Sequence, residues 1–224
     1  MSLFDQIEAR TAEARSGFLD IPIVARALSG AVARDEYVAF LGQAYHHVRH
    51  TVPLLMACGA RLPGRLGWLQ ATVAEYIGEE IGHEQWILDD IAAAGGDPDA
   101  ARDTPPLPAT ELMVAYAYDL VARVNPVGLF GMVYVLEGTS VALASRAAET
   151  LGNSLGLPRS AFRYLSSHGS LDQEHIQVLA GLLDRLTDAG DRGAVIHAAA
   201  MFYRLYGDIF RSLSNHGETA RSTA

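Results

Sequence analysis

The sequence predicts an all-α fold, a single-domain bundle of about seven helices spanning residues 1–224. Apolar residues recur at helical spacing along almost the whole chain, and no segment shows the strict apolar and polar alternation between hairpin turns that is typical of strands. Helices joined by short links bury their apolar faces against one another, and a domain of this length can do so around one core.

The first half of the chain contains four predicted helices. Two short helices, over about 2–16 and 23–28, make up an N-terminal part of residues 1–34. A long helix starts at Asp35 and includes Pro53, which predicts a kink because proline removes a hydrogen bond inside a helix. The next, in WLQATVAEYIGEEIGHEQWILDDIAAAG, ends at Gly95.

The second half begins with a proline-rich segment, residues 97–109, which predicts a surface linker. A helix in LMVAYAYDLVAR follows, the sequence NPVG ends it, and the next long helix contains Glu137. Two last helices are expected over about 159–188 and 192–213, and the small polar residues 217–224 predict a frayed tail.

Composition excludes several classes of function. The formal net charge is −9, and the 17 basic residues, all arginines, are scattered, so a nucleic acid or an anionic membrane is not expected as a partner. The single cysteine, Cys58, cannot form an intramolecular disulfide. The amphipathic, charged N-terminus does not resemble a signal peptide, and Glu137 interrupts the longest apolar run, so no membrane span is visible. We therefore expect a cytoplasmic protein.

Three groups of residues point to metal chemistry. Glu137 lies among apolar residues, so its carboxylate needs a proton, a buried cation or a metal. Glu80 and His83 have the Glu-x-x-His spacing by which a helix offers two ligands to one ion, whereas Asp90 and its acidic neighbours Glu79, Glu84 and Asp89 are expected to be solvated. The third group has the spacing of one helical face: His168, Asp172 and His175.

Together these groups supply six nitrogen and oxygen donors, about what a centre of two metals needs. Iron, manganese or zinc suits such donors, because no soft thiolate is present beside them. Histidines in AYHHVRH could complete the site or serve as core residues: His46, His47 and His50. Three tyrosines are candidates for lining a substrate pocket: Tyr45, Tyr76 and Tyr134. Gly128, Gly131 and Gly138 could make room for a substrate or allow close helix packing.

The three groups, taken over about residues 35–186, resemble the haem-oxygenase-like di-iron oxidases and oxygenases. These belong to a superfamily that also contains the thiaminase-like TenA proteins, the PqqC synthase and the chlamydial protein associating with death domains. The resemblance implies a haem-oxygenase-like fold with two irons bound by the six donors: Glu80, His83, Glu137, His168, Asp172 and His175.

The same resemblance separates this sequence from the other branches. Thiaminases use a cysteine nucleophile in a mid-chain helix, whereas Cys58 lies early in this chain. Haem oxygenases need an axial histidine near the N-terminus, and none precedes His46. Family members also draw a ligand, often a carboxylate, from the second long helix, where this chain has AYHHVRH and at best His46 or His47 as a substitute.

The expected function is therefore O2-dependent oxidation of a small organic metabolite at a di-iron site, with an external electron donor. The resemblance also implies a homodimer. Two alternatives stay open: a cofactorless protein of the TenA or PqqC type that binds a small heterocycle, and a regulatory or interaction protein on the same fold. The number of bound metals distinguishes an oxidase from a regulatory protein. O2 chemistry needs a pair of metals with an open coordination position, whereas stabilisation needs only one metal with a complete coordination shell.

Overall fold

The computed structural model describes residues 1–222, without the side chains of residues 168–174 and 214–222. Over this part of the chain the protein forms eleven α-helices and no strand, which confirms the predicted all-α bundle. The α-helices are α1 (Leu3–Leu19), α2 (Pro22–Ser29), α3 (Arg34–Val48), α4 (Thr51–Arg61), α5 (Gly67–Glu80), α6 (His83–Ala93), α7 (Pro98–Asp103), α8 (Pro108–Asp119), α9 (Leu129–Leu155), α10 (Arg163–Asp184) and α11 (Ala189–Ser222).

The eleven helices outnumber the eight predicted segments because two of the predicted long helices are each divided in two and one further helix forms in the predicted linker. The first division separates α3 from α4 at Arg49 and His50. Pro53 is the third residue of α4, where a backbone N–H has no acceptor inside the helix, so proline fits there without a kink. The prediction of one kinked helix was wrong for this reason.

The second division separates α5 from α6 at Ile81 and Gly82. Gly82 has a φ of +92°, a left-handed conformation that glycine adopts without steric cost. Glu80 therefore ends one helix and His83 begins the next, so the predicted Glu-x-x-His pair does not lie on a continuous helix. The remaining extra helix, α7, has no buried residues and lies inside the predicted surface linker 97–109.

Helix α9 runs through the centre of the bundle and packs against α2, α10 and α11. Its first residues, from Leu129 to Val135, are all buried, as expected for a helix that is apolar on every side. Among the described residues one stretch, Pro126–Leu155, is long and apolar enough to cross a membrane, but 61% of its most apolar window is buried inside the protein, as in a soluble core helix.

Close packing of α9 on α11 depends on Gly131. A Cβ atom at this position would lie 2.5 Å from the carbonyl oxygen of Val195 and 2.7 Å from the backbone nitrogen of Ala199. Neither backbone atom can move without moving the helix. Gly131 therefore serves helix packing, the second of the two roles open to it from the sequence.

A buried carboxylate from α6 caps the start of α10. Asp90 is 0% exposed and accepts hydrogen bonds from the backbone N–H groups of Arg163, at 3.0 Å, and Tyr164, at 2.8 Å. The expectation that Asp90 is solvated was wrong, because these two donors replace water. Burial raises the pKa of Asp90 to about 6, although the two hydrogen bonds oppose the rise.

Asp90→Ala leaves the two N–H groups buried without an acceptor and is expected to lower the free energy of unfolding by about 2–4 kcal/mol. Ionising the buried carboxyl is less favourable in the folded than in the unfolded chain. The stability of the wild type relative to Asp90→Asn should therefore fall as pH rises from about 4 to above about 6. Urea denaturation of both proteins across this range measures the difference, and a difference independent of pH would contradict the assignment.

Gly131→Ala is expected to lower the free energy of unfolding by about 1–3 kcal/mol, because the added methyl group meets backbone. The matched control is Gly181→Ala in α10, where nothing lies within 4 Å of the added Cβ atom. That change should raise stability by about 0.5–1 kcal/mol through helix propensity. Thermal unfolding of the two variants should shift in opposite directions, and equal shifts would exclude the packing role.

Candidate functional site

A cavity of about 170 Å³ lies between α2, α3, α5, α9 and α11. Its lining is mainly aliphatic and aromatic. The charged side chains that reach it are Glu36, Glu80 and Glu137. Glu36 is neutralised by a bidentate ion pair with Arg26, at 2.6 and 3.0 Å, whereas Glu80 and Glu137 lie where α5 and α9 face the cavity.

Glu137 is the buried carboxylate predicted from the sequence. It is 8% exposed on α9, with Oε1 lying 3.4 Å from Nδ1 of His175. Its other oxygen, Oε2, is fully buried, and the described residues provide no hydrogen-bond partner for it. A buried carboxylate oxygen without a hydrogen-bond donor costs folding free energy. This atom can therefore bind a proton or a ligand such as a metal ion.

The surroundings of Glu137 disfavour its charge. Burial raises the pKa of Glu137 to about 7, His175 opposes the rise, and the neighbouring carboxylates Glu80 and Glu79 add to it. Three carboxylates thus share one region, and the basic group that lowers the pKa of Glu137 there is His175. A cation would relieve this repulsion, as happens where buried acids cluster around a metal.

His175 connects α10 to the carboxylates of α5 and α9. Its Nε2 lies 3.0 Å from Oε2 of Glu79, its Nδ1 faces Glu137, and its ring packs on Tyr76 with centroids 5.4 Å apart. Glu79 was expected to be solvated, and its side chain is indeed 54% exposed, but it also pairs with His175. The ring of His175 is therefore fixed from two sides.

Glu80 and His83 form a second carboxylate and imidazole pair. Nδ1 of His83 lies 3.1 Å from Oε2 of Glu80, across the break at Gly82, and His83 is 2% exposed. The ring of His83 also stacks on Trp86, with centroids 4.0 Å apart. The break thus keeps the two side chains together even though they belong to different helices.

Two of the predicted ligands, His168 and Asp172, lie outside the described side chains. Among the side chains that are described, no group of three or more histidines, cysteines, aspartates and glutamates has the geometry to hold a metal. The structure brings together four of the six predicted ligands, in pairs: Glu80 with His83, and Glu137 with His175.

The histidines of AYHHVRH separate into two groups. His47 lines the same cavity as Glu80 and Glu137, with its ring 5.9 Å from that of Tyr206. His46 and His50 face a different pocket, on the side of α8, and Nδ1 of His50 lies 3.1 Å from the hydroxyl of Tyr118. Only His47 of the three is therefore placed beside the candidate site.

Of the three tyrosines predicted to line a substrate pocket, one lies at the cavity and two pack elsewhere. Tyr76 lines the cavity beside His175. Tyr45 packs instead on His46, with ring centroids 5.5 Å apart, and Tyr134 packs on Phe4 of α1, at 5.4 Å.

Sequence reasoning missed Ser140. It lies three residues after Glu137 on α9 and lines the cavity, and its Oγ is buried with no hydrogen-bond partner among the described residues. The i, i+3 spacing from Glu137 could have identified it, since such residues share a helical face.

The described residues fit an iron site in their chemistry. Carboxylate oxygens and imidazole nitrogens are the donors that non-haem iron takes, and the open Oε2 of Glu137 is one such donor without another partner among the described side chains. The paired imidazoles are oriented by carboxylates, as ligating histidines commonly are. The chain thus supplies suitable donors beside a mainly apolar cavity.

Solved structures share this fold over the whole chain. A domain of unknown function with a heme oxygenase-like fold from Shewanella denitrificans has 23% identity and a TM-score of 0.87, covering 100% of this chain and 97% of that one. A TenA homologue from Pseudomonas syringae has 10% identity and a TM-score of 0.78, covering 95% and 93%. Heme oxygenase-1 from Synechocystis, solved with heme, has 14% identity and a TM-score of 0.76, covering 100% and 97%.

No curated protein matches the sequence. A family model described as iron-containing redox enzyme matches residues 38–207, most of the chain, and this range includes all three groups of candidate ligands. The chain therefore belongs to the family of iron-containing redox enzymes with a haem-oxygenase-like fold.

Proposed function

We propose that the protein is a di-iron oxidoreductase that uses O2 to oxidise a small organic substrate. The observation that carries the proposal is the buried, open Oε2 of Glu137 beside a mainly apolar cavity. Family membership supports iron and redox chemistry, and the choice of two non-haem irons rests on the donor set.

Six residues would hold the irons: Glu80, His83, Glu137, His168, Asp172 and His175. His47 is placed to add a seventh donor or to hydrogen-bond near the site. Haem is a poorer fit, because helix α1 contains no histidine to serve as an axial ligand. Carboxylates and imidazoles on facing helices suit a pair of separate metal ions better.

When bound, the irons would supply electron transfer between O2 and the substrate. In a monooxygenation, one oxygen atom enters the substrate and the other leaves as water, which requires two electrons and two protons from a donor. We therefore include an external reductant as a partner.

The protein's own residues would bind the substrate, orient the donors and exclude water. Apolar side chains of α2, α3 and α9 surround the cavity, so the reacting group is kept from solvent. Glu79 and Tyr76 hold the ring of His175. With no cation bound, burial favours the protonated form of Glu137, since it raises the pKa of this carboxyl to about 7.

The proposal extends to partners and location. We propose a cytoplasmic homodimer that acts on a small metabolite and does not bind nucleic acid or membranes. The acidic composition, the buried free thiol of Cys58 and the mostly buried apolar stretch of α9 support this setting.

Protein loaded anaerobically with ferrous iron is expected to retain about two irons per chain after desalting, because the proposed site would offer six donors. Glu137→Gln should lower the iron content to about one per chain or less, since it removes the central carboxylate. Elemental analysis by mass spectrometry measures both values.

The matched control for that measurement is Glu149→Gln, a change of the same kind on the exposed face of the same helix. It should leave the iron content unchanged. If the wild type takes up no iron while remaining folded, the di-iron proposal is wrong, and a cofactorless binding protein becomes the better account.

O2 consumption offers a second test. Ferrous-loaded wild type supplied with ascorbate should consume O2 at a rate that Glu137→Gln lowers at least tenfold, because the variant loses iron. An oxygen electrode measures the rate, with Glu149→Gln as the control. Equal rates in all three proteins, matched by free ferrous iron, would show that the site does not carry the reaction.

A further inference from the structure

We propose that the pocket between the end of α3 and the start of α8 binds a phosphate group, with His46, Arg49 and His50 as its hydrogen-bond donors. This pocket is separate from the cavity of the candidate iron site, since the two share no lining residue among those described. The inference is therefore independent of the di-iron proposal.

Hydrogen bonds between α3 and α8 hold the walls of this pocket, which has a volume of about 330 Å³. Oε1 of Gln43 on α3 accepts hydrogen bonds from the backbone N–H of Leu107, at 2.9 Å, and from the hydroxyl of Thr110, at 2.7 Å. These bonds join the start of α8 to α3. A pocket whose walls are fixed in advance binds a ligand at a lower cost in entropy.

His46 contributes a buried imidazole to the pocket. The residue is 6% exposed, and among the described residues neither of its ring nitrogens forms a hydrogen bond or an ion pair. Its ring packs on that of Tyr45, with centroids 5.5 Å apart, a contact that leaves the nitrogens unbonded. Buried polar groups are normally hydrogen-bonded, and a ligand in the pocket would supply the acceptor for this N–H group.

Arg49 and His50 add donors from the junction between α3 and α4. The guanidinium of Arg49 lies over the ring of Tyr45, 5.6 Å from its centroid, and pairs with no carboxylate among the described side chains. Nδ1 of His50 lies 3.1 Å from the hydroxyl of Tyr118. When this hydroxyl donates to Nδ1, the proton of the ring is on Nε2, which can donate to a ligand.

The electrostatics of the pocket favour an anion. Burial lowers the pKa of His50, and the positive charge of Arg49 lowers it further. The first turn of α8 also lines the pocket, and this helix N-terminus has no side-chain cap, so its partial positive charge adds to that of Arg49. Of the described lining residues, Glu111 alone carries a negative charge, and its side chain is exposed, where solvent screens it.

The arrangement of donors favours a phosphate group over a metal ion or a carboxylate. Arg49 repels a cation, and no three histidine, cysteine or acidic side chains in the described part of the chain could hold a metal. A carboxylate offers two oxygens in one plane, whereas a phosphate group offers three or more acceptors around a tetrahedral centre. Donors from α3, from its junction with α4 and from α8 can surround such a centre.

Calorimetric titration of the full-length protein with inorganic phosphate, glycerol 3-phosphate and acetate, at constant ionic strength, tests the proposal. Phosphate should bind saturably and more tightly than acetate. Arg49→Gln should weaken phosphate binding about tenfold through loss of charge-assisted hydrogen bonds. The matched control is Arg146→Gln, which removes the same charge from an exposed position on α9 and should leave the affinity unchanged.

Two further variants should change the affinity in opposite directions. His46→Phe keeps a ring at the buried position but removes its N–H group, and it should weaken phosphate binding about fivefold. Glu111→Gln removes the opposing charge and should strengthen binding about threefold. A misfolded variant cannot bind more tightly, so the gain from Glu111→Gln reports the pocket itself.

The titrations are made before and after loading with ferrous iron, and the affinity for phosphate should be the same in both. Binding seen only after loading would place the phosphate on the metal and overturn the proposal. Absence of saturable binding, equal affinities for acetate and phosphate, or binding that Arg49→Gln leaves intact would also overturn it. Tighter binding of glycerol 3-phosphate would retain the site and identify a phosphate ester as its ligand, whereas tighter binding of inorganic phosphate would retain it for the free ion.

Discussion

The need to compensate the buried carboxylate of Glu137 governs the candidate site. Its position on the central helix buries the carboxylate, and among the described residues one of its two oxygens faces an imidazole. Neighbouring carboxylates make the charge less favourable still. A protein that keeps such a group gains a position where a cation binds with little competition from solvent.

The same helix links the site to the fold. The buried first half of α9 holds this helix in the bundle, and Gly131 allows α9 to pack directly against the backbone of α11. Past Glu137 the helix continues to line the cavity with small and aliphatic side chains, among them Leu143, Ala144 and Ala147. One helix therefore determines the position of the carboxylate, the rigidity of its support and the shape of the adjoining cavity.

Local sequence patterns predicted the helical class and the burial of Glu137, because both depend on apolar periodicity over a few turns. They did not predict the break at Gly82, where one left-handed glycine divides a segment whose pattern reads as continuous helix. They also misplaced Asp90, whose acidic neighbours suggested solvent but whose partners are N–H groups of a helix distant in sequence. The cavity and the choice of His47 over its neighbours required tertiary packing, which spacing alone does not encode.

Diffraction from crystals soaked anaerobically with ferrous iron, with anomalous data collected at the iron absorption edge, tests the central claim most directly. The account predicts two anomalous peaks beside Glu137, between α5, α9 and α10, with Oε2 of Glu137 as a ligand. Absence of any peak there in fully soaked crystals, with Oε2 bonded to a water or a polar side chain, would contradict it.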